Sequence, residues 1–261
     1  RGDPDFYRKL PDMPAPHVEN LKPSTMKRIG HAMWYYLMGW HYRHEFPRYR
    51  HINRFPPGMK HVAGFVHTGA SNLQGNTGKV LPRLMNELDQ RYYLAVLQVY
   101  NDSQIRNHSN YNDVRDYINE VMYSFSRKAP KALFGDQTSS DDRGHRLYRP
   151  LIKRLSKEYD LGERVIYVHD LPMPELLRHA KAVVTINSTA GISALIHNKP
   201  LKVMGNALYD IKGLTYQAFA PVLAGDFKPD MKLFKKFRGY LLVKTQVNAV
   251  YYGGNTKKTP T

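Results

Sequence analysis

The chain has 261 residues, 42% of them apolar, enough to bury one large core or two modest ones. Its 39 Lys and Arg against 22 Asp and Glu leave a formal charge of +17, a field that draws polyanions, acidic sugars or anionic lipid headgroups. The absence of cysteine excludes a disulfide framework and any thiolate metal site, and it fits a reducing, cytoplasmic setting.

The chain opens on Arg1 with neither an initiator Met nor an apolar leader, which reads as a truncated N-terminus without a secretion signal. Residues 1–57 are rich in Pro, Arg, His and aromatics, with a helix expected at 24–43 after Pro23. Lys27, Arg28, Arg43, Arg48, Arg50 and Arg54 make this zone basic, which suits a membrane-facing patch, with dispersed surface charge as the plainer reading. Residues 58–78 are dominated by Gly, Asn, Ser and Thr and read as loop. Residues 1–78 are therefore taken as a partial N-terminal region. From Lys79 the pattern changes to helices alternating with short apolar strands. Helices are expected at 80–89, 110–127, 145–158, 173–179 and 190–197, and helical segments at 228–237 and 240–250. Strands are expected at 92–99, 132–135, 164–168, 182–186 and 200–204. Short buried strands separated by helices predict an α/β domain over 79–261, a doubly wound parallel sheet covered on both faces. No apolar run approaches the roughly 20 residues that span a bilayer.

In such a sheet ligands gather beyond the carboxyl ends of the strands. The segments that follow these ends are Asn101-Asp102-Ser103-Gln104, His169-Asp170, Asn187-Ser188-Thr189 and Gly205-Asn206. They offer carboxylates, amides, hydroxyls and an imidazole, a set that suits a phosphorylated, hydroxyl-rich ligand. The strand at 182–186 runs through Asn187, Ser188 and Thr189 into the helix beyond Gly191, where backbone N–H groups and the helix dipole favour an anion. Plainer readings stay open. Ser188 and Thr189 also suit a helix cap, Asp102 an Asx turn, and Asp170 before Leu-Pro a turn. Gly75 to Lys79 lacks the spacing of a phosphate-binding P-loop. The Gly-x-Ser-x-Gly elbow of a serine hydrolase is absent.

Five ordered motifs carry a resemblance: Gln98 to Ile105, Asp142-Arg143-Gly144-His145, Tyr167 to Asp170, Thr185 to Thr189, and Lys202 to Thr215. They resemble the bacterial capsule polysaccharide biosynthesis proteins of the KpsS type, over most of residues 79–250 and more loosely over 1–50. The resemblance implies a GT-B-like fold whose C-terminal, Rossmann-like domain binds a nucleotide sugar. It implies a glycosyltransferase that moves Kdo from CMP-Kdo onto a phosphatidylglycerol-type lipid and so primes capsule assembly. The expected setting is the cytoplasmic face of the inner membrane, with the protein peripheral to it and residues 1–78 on the acceptor side. No metal and no cofactor are expected. Ser188 and Thr189, with Asn187 and the backbone to Gly191, are expected to hold the donor phosphate; Asn101, Ser103, Gln104, Arg143 and His145 would complete the donor site. Asp102, His169 and Asp170 are the expected catalytic groups. The expected partners are the CMP-sugar donor, an anionic lipid acceptor and other capsule-assembly proteins, with no nucleic acid, because the basic residues are dispersed and no nucleic-acid motif is present. The family's His-His-Pro is replaced here by Gln137 to Asp141, which leaves a catalytically impaired scaffold binding anionic lipid or a capsule-assembly partner as the alternative, with a nucleic-acid-binding protein ranked behind it.

Overall fold

A computed structural model describes residues 2–13, 25–45, 82, 86–99, 102–126, 131–136, 142–169, 171–218 and 227–246. The expected loop at 58–78, half of the expected helix at 80–89, Arg48, Arg50 and Arg54 of the expected basic patch, and the sites Asn101 and Asp170 lie outside these residues. The chain divides into two compact units, residues 1–11 with 76–238 and residues 12–75 with 239–261.

The first unit is built on five parallel strands: β1 Tyr92–Leu97, β2 Lys131–Asp136, β3 Val165–His169, β4 Ala182–Thr185 and β5 Leu201–Val203. Their order is β3-β2-β1-β4-β5. The chain steps outward from β1 to β3 and then returns to the other side of β1. Every position of the central β1 is buried, which is why its sequence is a continuous apolar run rather than an alternation.

Helices cover the sheet. Helix α4, Val114–Ser126, buries Val114, Tyr117, Ile118, Val121, Met122 and Phe125, one face of a 3.6-residue period. Helix α5, Asp142–Glu158, adds Tyr148, Ile152 and Leu155 to the same core as Tyr93, Ala95 and Leu97 of β1. Tyr92 belongs to the other pleat and donates its hydroxyl to the Leu176 carbonyl of α6, Met173–His179. Helix α7, Ala190–Ile196, packs on β4 and β5. The buried tyrosines combine apolar bulk with a satisfied hydroxyl. Tyr117 donates to Val184 O at 2.9 Å and Tyr148 to Gln98 O at 3.2 Å.

Two short helices were not expected from the sequence. Helix α1, Pro4–Lys9, starts with Pro at a position that needs no N–H, and the Asp3 carboxylate accepts from Asp5 N at 2.9 Å. It docks on helix α8, Met231–Lys244, where Tyr7 meets Phe237 edge-on at 5.2 Å and Lys236 Nζ donates to Arg8 O and Leu10 O at 2.7 and 2.8 Å. These contacts tie the first residues to the sheet unit. The second is α3, Ser103–His108, directly after β1. Of the second unit, helix α2, Thr25–His41, the 3-10 turn Tyr42–His44 and the last residues of α8 are described.

Candidate functional site

The strand order reverses direction between β1 and β4, which lie side by side, the usual ligand position of an open parallel sheet. Gln98 closes the end of β1. It is 6% exposed, so each of its polar atoms needs a partner. Its Nε2 donates to Asp102 Oδ2 and to Asn187 Oδ1, each at 3.0 Å, and its Oε1 accepts from Asn187 N at 3.2 Å. Asp102 Oδ1 meanwhile accepts from Gln104 N at 2.9 Å and caps α3. The turn reading of Asp102 holds, since one oxygen starts a helix, while the other oxygen accepts from Gln98 at the end of β1.

Asn187 secures the far end of α3. Its Nδ2 donates to Gln104 O at 2.9 Å and to His108 O at 3.2 Å. Asn206 N donates to the same His108 oxygen at 2.7 Å. The segments after β1, β4 and β5 thus share hydrogen-bond partners. Beside them lies a cleft of about 350 Å³ lined by Ser109, Asn110, Glu120, Lys202, Asn206 and Asp210, among others. Glu120 accepts from Tyr111 OH at 2.6 Å, and burial together with this carboxylate pushes the Tyr111 hydroxyl well above its ordinary range. Lys202 Nζ lies 3.3 Å from Gln217 O. Asp210 Oδ1 accepts from Thr215 Oγ1 at 2.7 Å. A polar cleft of this size suits a hydroxyl-rich ligand, with Lys202 as a cation for an acid group.

Ser188 Oγ accepts from Ala190 N at 3.2 Å, and Gly191 N donates to Ser188 O at 2.9 Å. Capping uses an acceptor site of the Ser188 hydroxyl and leaves its O–H proton. Thr189 is exposed and makes no side-chain cap. Tyr209 braces this turn: its hydroxyl donates to Ser188 O, and its ring occupies the space beside Gly191, where a Cβ would come within 2.5 Å of it. Burial pushes the Tyr209 hydroxyl up.

The structure therefore brings Asp102, Gln104, Asn187, Ser188, Thr189 and Gly191 to one end of the β1 and β4 pair. Ser103 is the exposed first residue of α3. Arg143 and His145 lie on the first turn of α5. The backbone of His169 ends β3, in register with Asp136. Strand β2 stands between β3 and β1, so His169 is two strand spacings, roughly 10 Å, from the β1 end. Among the described residues no three His, Asp or Glu side chains come together as metal ligands. Gln98 and Tyr209 were missed as site residues. Gln98 had a signal, a lone amide finishing a buried apolar run.

The family model described as capsule polysaccharide biosynthesis protein matches residues 5–252. The chain is 81% identical over 253 residues to the capsule polysaccharide export protein KpsS of Escherichia coli, covering 96% of this chain and 65% of that protein. It is 44% identical over 165 residues to the capsule polysaccharide modification protein LipB of Neisseria meningitidis serogroup B, covering 62% of this chain and 39% of LipB. The chain spans less than two thirds of the length of either relative. A solved structure, Thermosulfurimonas dismutans KpsC, beta Kdo 2,7 transferase, gives a TM-score of 0.39 at 19% identity over 63% of this chain and 51% of that one, a likeness too slight to define the fold. The match to the family model over nearly its whole length shows that this chain belongs to the capsule polysaccharide biosynthesis proteins.

Proposed function

We propose that this chain carries the donor-binding part of a GT-B glycosyltransferase that moves Kdo from CMP-Kdo onto a phosphatidylglycerol-type lipid in capsule assembly. The observation that carries the reading is the Asp102 carboxylate, held by Gln98 and by the start of α3 at the junction of β1 and β4. In the reaction the bond between the sugar's anomeric carbon and the CMP phosphate oxygen breaks, and the acceptor hydroxyl forms the new one. The phosphate leaves with the bonding electrons, and donors at Ser188 and Thr189 offset its charge. In this reading Asp102 acts at the anomeric centre or takes the acceptor proton, and the family likeness adds His169 and Asp170 as partners in that task. It also adds Asn101, Ser103, Arg143 and His145 to the donor site. The cleft beside β5 takes the hydroxyl-rich part of the sugar, with Lys202 facing its carboxylate. No step calls for a metal or a cofactor. A charge of +17 suits a donor and an acceptor that are both anionic, at the cytoplasmic surface of the inner membrane.

Calorimetric titration with CMP and CMP-Kdo tests the site. Binding by the chain that is lost in Ser188→Ala with Thr189→Ala is the expected result, with Kdo transfer to a lipid acceptor lost in Asp102→Asn. A folded chain that binds neither compound would put the scaffold reading in its place.

A further inference from the structure

The two tryptophans of the chain, Trp34 and Trp40, both lie on α2, and neither is packed away. Trp34 is 62% and Trp40 66% exposed, with Met33 at 58% and Leu37 at 55%. None of the α2 residues whose burial is described is buried. Isolated exposed apolar residues are ordinary on a protein surface, whereas four large ones on two successive turns form a patch that marks a contact surface. Met33, Leu37 and Trp40 are spaced i, i+4, i+7 and share one side of the helix.

Charge selects the partner. From Thr25 to Glu45 the sequence holds Lys27, Arg28 and Arg43 with His31, His41 and His44, and its one acid is Glu45. Arg43 stacks its guanidinium over the Trp40 ring at 5.5 Å. A helix that mixes exposed Trp, Leu and Met with basic residues suits the headgroup boundary of a bilayer, where indole rings sit at the interface and cations meet anionic lipid. At 17 residues it is about 25 Å long, and no described helix is long and apolar enough to cross a membrane.

We infer that α2 is an in-plane membrane anchor, which lays its Trp34, Leu37 and Trp40 surface into the headgroup region of an anionic bilayer. This deepens the lipid-acceptor reading and rests on it for the kind of partner.

Because tryptophan occurs only on α2, intrinsic fluorescence of the full chain reports on this helix alone. Vesicles of phosphatidylcholine mixed with phosphatidylglycerol are expected to shift the emission to the blue and to sediment the protein. Vesicles of phosphatidylcholine alone should bind at least about tenfold more weakly, because each basic residue near an anionic surface adds roughly 1 kcal/mol. Brominated acyl chains should quench both tryptophans. Leu37→Glu, which retains the tryptophans, is expected to lose the shift and the sedimentation while its melting temperature and CMP-Kdo affinity stay unchanged. Equal binding of both vesicle types, no quenching, or undiminished binding by Leu37→Glu overturns the inference. So does a blue shift that follows protein concentration without lipid, which assigns the surface to a second copy of the chain. Loss of CMP-Kdo binding with vesicle binding intact would instead count against the transferase reading alone.

Discussion

Asp102 is engaged on both oxygens, so its structural and chemical contributions separate by size. Asn at this position retains an acceptor for the Gln104 N–H but turns an amide donor toward Gln98 Nε2, replacing one hydrogen bond. That change costs about 1 kcal/mol. Removal of a group acting on the reacting centre costs about a hundredfold or more in rate. Asp102→Asn is therefore expected to lower the urea midpoint slightly and CMP-Kdo turnover at least a hundredfold. A rate loss no greater than the stability loss predicts would reduce Asp102 to a helix cap. Gly191 gives a second contrast, because a methyl there meets the Tyr209 ring, and the ring must leave along with its hydrogen bond to Ser188. Overpacking of this kind costs about 1–3 kcal/mol. Gly191→Ala should lower thermal stability by that amount and weaken CMP binding, whereas Tyr209→Phe should show the milder loss of one hydrogen bond in the same melts. The sequence disclosed that Asp102 and Ser188 lie in segments that follow strands. It could not disclose the Tyr209 brace, because the two residues meet through the packing of the segment after β5 on the start of α7.

At the scale of elements, α3 shows what the sequence hides. Six residues are too few for a helix to hold itself in water, and Ser103 to His108 offers no apolar period beyond Ile105, which is buried. The stabilising groups come from outside the segment: Asp102 caps its start, and the Asn187 amide donates to the carbonyls of Gln104 and His108. The longer helices were legible because their apolar residues recur at helical spacing. The expected helices at 110–127 and 145–158 match α4 and α5 closely. Helix α3 was not expected because its cause lies 79 to 83 residues away. Asn187→Ala should therefore fray α3 without unfolding the sheet. Hydrogen exchange at residues 103–108 is expected to quicken by about tenfold, the effect of roughly 1.4 kcal/mol of local stability, while exchange in β1 stays slow. Equal acceleration in β1 would show that the amide supports the whole sheet rather than this one turn.

For the sheet unit as a whole, the parallel α/β architecture followed from the alternation of short apolar runs with helical periods. The strand order did not, because an apolar run marks a strand without saying which neighbour it pairs with, and the pairing depends on helix packing. Tyrosine supplies part of that packing, and it makes the stability of the unit depend on pH. Burial is the first cause that pushes the hydroxyls of Tyr92, Tyr111, Tyr117 and Tyr209 upward. In the unfolded chain each ionises near its ordinary value of about 10. The folded state thus keeps protons that the unfolded state releases. This contribution is fully present below about pH 10 and is lost as the pH rises from there toward the folded values, at up to about 1.4 kcal/mol per pH unit for each tyrosine. Lys199, whose ammonium burial pushes down, acts with the opposite sign. Comparing the protein with Tyr117→Phe removes that term and every other shared one. Tyr117 is fully buried, and Phe retains its apolar bulk while losing the hydroxyl bond to Val184 O. The variant should be less stable by about 1 kcal/mol at neutral pH and should then lose stability less steeply above pH 10. The two urea midpoints should converge as the pH rises, and parallel profiles would show that Tyr117 ionises as readily in the core as in the unfolded chain.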